Sequence, residues 1–199
     1  TEDFVKEINK RNDIDFVIHG GDMSDFGLTK EFLWQRDIMN GLHVPYVALI
    51  GNHDCLGTGA ETYKAVFGST NFSFIAGNVK FVCLNTNALE YDYSEPVPDF
   101  TFMENEITNR REEFEKTVIC MHARPYTDVF NDNVAKVFQH YVKQYAGIQF
   151  CTAAHTHHYQ DDVIFDDGIH YVTSDCMDYR TYLVFTITPE KYEYELVKY

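Results

Sequence analysis

What the chain most plainly lacks is basic charge: 16 Lys and Arg stand against 31 Asp and Glu in 199 residues, a formal net charge of -15. A phosphate backbone is normally met by a concentrated basic surface, so this balance argues against a nucleic-acid polymer as partner. Any anionic substrate must be attracted locally. No stretch approaches the ~20 consecutive apolar residues of a membrane span, and the residues from Thr1 onward carry no signal-peptide pattern. No membrane partner is expected. Repeats, linkers and low-complexity segments are also missing, and the five cysteines are an odd number at a length that needs no disulfide framework. Cys83, Cys120 and Cys151 each lie inside an apolar β-branched run, as buried reduced thiols do, and a reducing, cytoplasmic setting is the expectation.

What is present is a globular composition, 45% hydrophobic and 16% aromatic, enough for one domain over residues 1–199 with a full core. Residues 15–19, 44–50, 79–85, 116–121 and 147–154 are short apolar runs rich in β-branched residues, which predicts buried strands. Val134, Val137, Phe138, Tyr141, Val142 and Tyr145 recur at helical spacing, with Gly147 just past the end. Met103, Ile107 and Phe114 predict a second helix, residues 2–11 a third, and Phe32, Leu33 and Met39 a fourth. A hairpin turning at Gly77-Asn78 and further antiparallel strands after residue 160 complete an α/β pattern of two sheets flanked by helices.

The polar residues cluster at strand ends. The run at 15–19 is followed by Gly-Gly-Asp22, that at 44–50 by Gly51-Asn52-His53-Asp54, that at 116–121 by His122, and that at 147–154 by His155-Thr156-His157. Ligands of open α/β sheets bind beyond the carboxyl ends of the strands, so the four clusters are expected to share one crevice. Mixed imidazole, carboxylate and amide donors suit Zn, Mn or Fe better than Ca or an all-sulfur site. His155 and His157 can aim at two neighbouring ions or at one, and the Asp22 carboxylate can bridge a pair. Two ions ~3.5–4 Å apart clamp the attacking and leaving oxygens of an in-line displacement and make hydroxide from water near neutral pH, which is what phosphate ester hydrolysis needs.

Read in order, these residues resemble the calcineurin-like metallophosphoesterases. That family's signature runs D-x-H, G-D, G-N-H-(D/E), a lone H, then G-H-x-H, and Gly21 to His157 supply the last four in sequence, with Ala154 in place of the glycine before His155. The resemblance implies a four-layer α-β-β-α sandwich of two mixed sheets and two divalent or trivalent transition metals, Mn, Fe or Zn. It implies that Asp22 bridges the metals, that Asn52, His122 and His155 complete the second site, and that His157 binds the first. His53, steadied by Asp54, would contact the phosphate and protonate the leaving alkoxide. The D-x-H element is absent; in the family it ends the first strand, so the expectation is a domain without its N-terminal strand and a first metal held only by Asp22 and His157.

Other residues are read more plainly. Arg124, two residues after His122, is expected either to reach a substrate phosphate or to pair with one of the 31 acids. His19 is expected in a supporting role, His158 as structural or substrate-side, and Asp25 as support or helix cap. Asp161, Asp162, Asp166 and Asp167 read as turn carboxylates. Loops 23–30, 55–72, 86–100 and 124–132 would set specificity, with the strip from Tyr91 to Phe100 either packing or acting as a lid. The expected function is hydrolysis of a small phosphate mono- or diester, such as a nucleotide, by a two-metal hydroxide with His53 as acid. The rival is an inactive scaffold on the same fold. Oligomeric state is left open.

Overall fold

A computed structural model describes residues 1–91 and 94–199. The largest sheet has six strands in the order β3-β4-β5-β6-β8-β7: Phe72–Ala76 (β3), Val79–Leu84 (β4), Lys116–Met121 (β5), Ile148–Ala153 (β6), Gln160–Asp162 (β7) and Tyr171–Thr173 (β8). Its four inner strands are mutually parallel, and β3 and β7 close the edges antiparallel. Every residue of β4 and β5 is buried, as the unbroken apolar runs require of strands covered on both faces.

Alternate side chains of these strands feed two cores. Val82, Leu84, Ile119 and Met121 pack under helices α4 (Phe100–Thr108) and α5 (Ala135–Val142), with Met103, Phe138 and Val142 contributed by the helices. Val79, Phe81, Cys83, Val118 and Cys120 point the other way, onto Leu49, Phe150 and the partly buried Phe16, Ile18, Phe185 and Ile187. Those last residues belong to a second layer made of two pieces: the parallel pair β1 (Val17–His19) and β2 (Tyr46–Ala48), and the antiparallel pair β9 (Thr181–Ile187) and β10 (Tyr192–Lys198). Helices α1 (Glu2–Ile8), α2 (Thr29–Met39) and α3 (Gly59–Phe67) cover β1 and β2 through Phe4, Ile8, Phe32, Met39 and Tyr63. Four layers result, α-β-β-α. The second β layer is split, because no described strand joins β1 to β9.

Several boundaries differ from the sequence expectation for local reasons. α4 stops at Thr108 because Arg110 takes a left-handed conformation (φ 56°), so Phe114 reaches the core from beyond the helix. α5 starts at Ala135, preceded by a tighter turn whose first residues are held by the Asn131 side chain accepting from the Asn133 amide at 3.2 Å. α3 lies inside a segment expected to be loop, yet Ala60, Tyr63, Val66 and Phe67 recur at helical spacing and pack on the core beneath β1 and β2. Of the strip from Tyr91 to Phe100, Tyr91 is buried, and Asp92 and Tyr93 lie outside the described residues. All five cysteines are free.

One ion pair ties the central sheet to α4. Lys80 on β4 is 1% exposed, and its Nζ donates to Glu106 Oε2 (2.8 Å) and to the carbonyls of Glu106 (2.6 Å) and Asn109 (2.7 Å) at the end of α4. Ser73 and Asn109 donate to the same carboxylate, so every polar group of the net has a partner. Burial works against ionisation of Glu106, but the Lys80, Ser73 and Asn109 donors together outweigh it and hold the carboxyl below its ordinary value. Replacing Lys80 by Met is expected to cost about 3–5 kcal/mol of stability in chemical denaturation, because an unpaired carboxylate is left inside. An equally stable variant would show that the pair is not what holds α4. Since the unfolded chain binds the Glu106 proton more readily than the folded one, this contribution is complete above the unfolded value near 4.5 and is lost as pH falls below it. The Glu106→Gln variant should therefore show a shallower loss of stability between about pH 5 and 3 than the parent chain.

Candidate metal centre

The four expected clusters lie at the carboxyl ends of β1, β2, β5 and β6, on one side of the molecule. After β1 the chain turns sharply at Gly21 (φ 106°) and Asp22 (φ 54°). A non-glycine residue held at positive φ stores strain of about 1–3 kcal/mol, and such positions gather at functional sites. His155 (φ 69°) and His157 (φ 62°) share the same unusual backbone. Close approach needs missing side chains as well: a Cβ on Gly51 would lie 2.1 Å from Asp22 Oδ1, and one on Gly21 would lie 2.4 Å from His122 Nδ1.

Asp54 holds the two loops together. Fully buried, it accepts from the amides of Met23 (3.1 Å), Ser24 (2.8 Å) and Gly51 (2.9 Å) and from the Ser24 hydroxyl (2.9 Å). Burial raises its pKa, with these donors acting against the rise. The Asp54 oxygens are used by the amides of both loops and by the Ser24 hydroxyl, so this carboxylate acts on His53 through its charge and not through a hydrogen bond. The His53 ring is oriented by Nδ1–H donating to the Asp25 carbonyl at 2.9 Å, which raises the imidazole pKa.

The front of the site consists of acceptors. His122 Nδ1–H donates to the Gly20 carbonyl (2.7 Å), which leaves the Nε2 lone pair facing Asn52 Oδ1 at 3.2 Å and Asp22 Oδ2 at 3.4 Å. His155 Nε2–H donates to Asp128 Oδ1 (2.7 Å), which leaves Nδ1 facing the same Asn52 oxygen at 3.1 Å. With both rings neutral, four lone-pair atoms thus face one another, an arrangement that is repulsive unless a cation, whether a proton or a metal ion, sits among them. Ligands about 2.0–2.1 Å from a shared ion are about 3.0–3.4 Å from one another, which these separations match. Counting only His, Cys, Asp and Glu, no three of the described residues close on one point. The Asn52 amide is what joins the two imidazoles.

Asp22, Asn52, His53, His155 and His157 line one cavity of about 490 Å³ with Asp128 and Glu90 at its mouth. Among the described residues His157 makes no hydrogen bond to the other donors, although it faces the same space. Burial of Asp22 opposes its ionisation, and a hydrogen bond from His122 when that ring is protonated, together with the one from the His53 amide, more than offsets this, so its carboxyl is held below the ordinary value. His19 is half-buried and accepts from the Gly21 amide at 3.3 Å; desolvation, helped by His122, pushes it down to about 4 and keeps it neutral.

Arg124 is placed differently from the substrate-contacting alternative. Its guanidinium is buried against Asp162 (2.9 Å) and Gln160 (3.1 Å) on edge strand β7, and neither lines the cavity. A strand-end carboxylate takes the cation that sequence proximity to His122 had suggested for phosphate. Asp161 is likewise engaged, by His170 at 2.7 Å. His158 stacks obliquely near Tyr179, with ring centroids 5.8 Å apart. Sequence reasoning missed Asp128 and the Asp25 and Gly20 carbonyls. Asp128 is one more exposed loop acid among 31, and a main-chain carbonyl carries no sequence signal.

The chain has recognisable relatives in structure. A dimetal phosphatase from Danio rerio superposes with a TM-score of 0.71 at 12% identity, over 87% of this chain and 76% of that one. A protein from Thermus thermophilus gives 0.62 at 14% identity, over 98% and 91%. GAP50, the anchor in the inner membrane complex of Plasmodium, gives 0.60 at 12% identity, over 86% and 64%. At these identities the likeness is one of fold. No curated protein sequence matches the chain. A family model does, that of the calcineurin-like phosphoesterases, over residues 1–159, which include every acceptor around Asn52, and the chain therefore belongs to that family.

Proposed function

We propose that the protein hydrolyses a small phosphate mono- or diester, a nucleotide being the kind of substrate its size and charge suit, with transition-metal ions of the Mn, Fe or Zn type. The observation that carries this reading is the meeting of the Asp22, Asn52, His122 and His155 ligand atoms at 3.1–3.4 Å beside a separately oriented His53. These four residues would hold one ion, and a second would rest on Asp22 and His157. When bound, such ions supply Lewis acidity toward phosphate oxygens and activate water near neutral pH.

The chain's own contribution is positional and acid–base. The imidazole of His53, with Nδ1–H spent on the Asp25 carbonyl, presents Nε2 to the cavity. Protonated there, it can pass its proton to the departing ester oxygen while Nδ1–H stays in place. Asp54 keeps Asp22 and Asn52 in register and touches no substrate; its role is positioning. With a net charge of -15 the surface repels long polyanions, so a small ester drawn by local positive charge fits better than a polymer.

Activity on nitrophenyl and alkyl phosphate esters with added Mn²⁺ tests the assignment. His53→Asn should lower kcat on an alkyl ester by about 10²–10⁴-fold and on a nitrophenyl ester far less, because nitrophenolate leaves without a proton. Equal losses on both would remove His53 from the acid role. Asp22→Asn should abolish turnover of either. A protein that binds Mn²⁺ through Asp22 yet turns over neither ester would be a scaffold on an enzyme fold.

Asp128 bears on the same site, since its carboxylate fixes the His155 tautomer that leaves Nδ1 free. Asp128→Asn should weaken Mn²⁺ or Zn²⁺ binding by about 10–100-fold in chelator competition, with the fold intact by circular dichroism. Unchanged affinity would show that His155 does not depend on it.

A further inference from the structure

His53 fixes where the departing half of an ester must lie, because the alcohol oxygen has to come within hydrogen-bond reach of Nε2. The surroundings of that point are apolar and open. Nδ1 of the same ring is bonded to the Asp25 carbonyl at 2.9 Å, and the next residue is Phe26, whose Cα therefore lies within ~6 Å of the ring. Phe26 is 66% exposed. The loop that carries it is held from both sides. The Glu31 carboxylate accepts from the amides of Phe26 (3.0 Å) and Leu28 (3.2 Å), and a Cβ on Gly27 would stand 2.4 Å from the Leu56 carbonyl. Leu28 and Leu56 are exposed on these two touching loops. Leu89 lines the metal cavity itself and is 67% exposed, with its amide donating to the carbonyl of Val129, another lining residue, at 3.2 Å. Apolar side chains exposed singly are ordinary on a protein surface. Four of them on hydrogen-bonded loops that flank one polar cavity form a patch, and such patches mark binding sites.

The same surroundings hold no cation. Asp22, His53, His155 and His157 open on two cavities, and among the described residues neither is lined by a Lys or an Arg. Lys30, the first cation after Asp22 in the chain, stands over the Trp34 ring at 4.4 Å, and Arg124 is bonded to Asp162. Glu90 and Asp128 add negative charge at the mouth. An alcohol bearing a carboxylate or a further phosphate would be brought against these acids with no cationic side chain to pair it.

We propose that the site selects phosphate esters by their alcohol: it takes an uncharged apolar alcohol, aromatic for preference, seated against Phe26 and Leu89, and rejects anionic alcohols. The inference rests on the hydrolytic reading and narrows it. Water supplies the oxygen that phosphorus gains, the P–O bond to the alcohol breaks, and the His53 proton ends on the alcohol oxygen. A nucleotide is then a substrate only with a single phosphate, its nucleoside departing as the alcohol. Di- and triphosphates, whose departing half is itself an anion, are excluded.

Three monoesters of primary alcohols, ethyl, benzyl and 4-carboxybenzyl phosphate, test it on the chain with added Mn²⁺. All three need an alkoxide protonated, so they differ chiefly in what the alcohol touches. kcat/KM should be about tenfold or more higher for the benzyl than for the ethyl ester. It should also be about tenfold or more higher for benzyl than for 4-carboxybenzyl, a gap that narrows as salt is raised. Phe26→Ser and Leu89→Ser should each lower the benzyl-to-ethyl ratio by about threefold or more, and Phe26→Tyr, which keeps the ring, should preserve it. A ratio taken on one protein is indifferent to how much of that protein is folded. Turnover with a benzyl-to-ethyl ratio near one, a ratio that either serine variant leaves unchanged, or equal use of the 4-carboxybenzyl ester would overturn the selection and leave hydrolysis standing. Turnover of none of the three would sink the hydrolytic reading instead. Calorimetry with benzylphosphonate and ethylphosphonate, which have no ester bond, then decides the selection: tighter binding of benzylphosphonate that Phe26→Ser weakens upholds it, and equal or absent binding overturns it.

Discussion

The buried carboxylate of Asp54 is the interaction on which the site depends. It gathers the amides of Met23, Ser24 and Gly51, and in doing so it brings the loop after β1 against the loop after β2. Only then can Asp22 lie against Gly51 at a distance no side chain would permit. The strained backbone at Asp22 persists because this net over-determines it. A group buried away from the cavity thus controls where the cavity-lining groups stand.

The same logic runs through the acceptor cluster. Each imidazole has one nitrogen committed to a fixed acceptor, His122 to the Gly20 carbonyl, His155 to Asp128 and His53 to the Asp25 carbonyl. A ring fixed in this way has one defined lone pair and one defined direction. The forward-facing atoms then repel one another until a cation arrives, so the fold holds a charge distribution that is complementary to a metal ion before any is bound. In a chain of net charge -15 this is also how an anionic ester could be attracted to one point and nowhere else.

Much of this was legible in advance. The β-branched runs ending in Asp22, Asn52, His122 and His155 marked both the strands and the ends that carry chemistry, because parallel strands buried on both faces leave only their termini free for polar work. The hairpin at Gly77-Asn78 was legible because its turn residues leave few alternatives. α3 was less so: Ala60, Tyr63, Val66 and Phe67 recur at helical spacing, but glycines at 57, 59 and 68 punctuate so short a segment. Arg124 could be read two ways from sequence, and the choice fell to Asp162 on a strand that enters 38 residues later.

By itself the sequence determined the alternation of strands and helices, the order of the metal-capable residues and the absence of a basic surface, since these follow from local periodicity and composition. Tertiary structure decided the rest: which partner each carboxylate and imidazole takes, that Asp54 bonds to two loops and not to a ring, and that the second β layer is split. Those outcomes turn on hydrogen-bond geometry between segments tens of residues apart, and on edges whose bonding depends on what lies beside them, neither of which is written into any local run of residues.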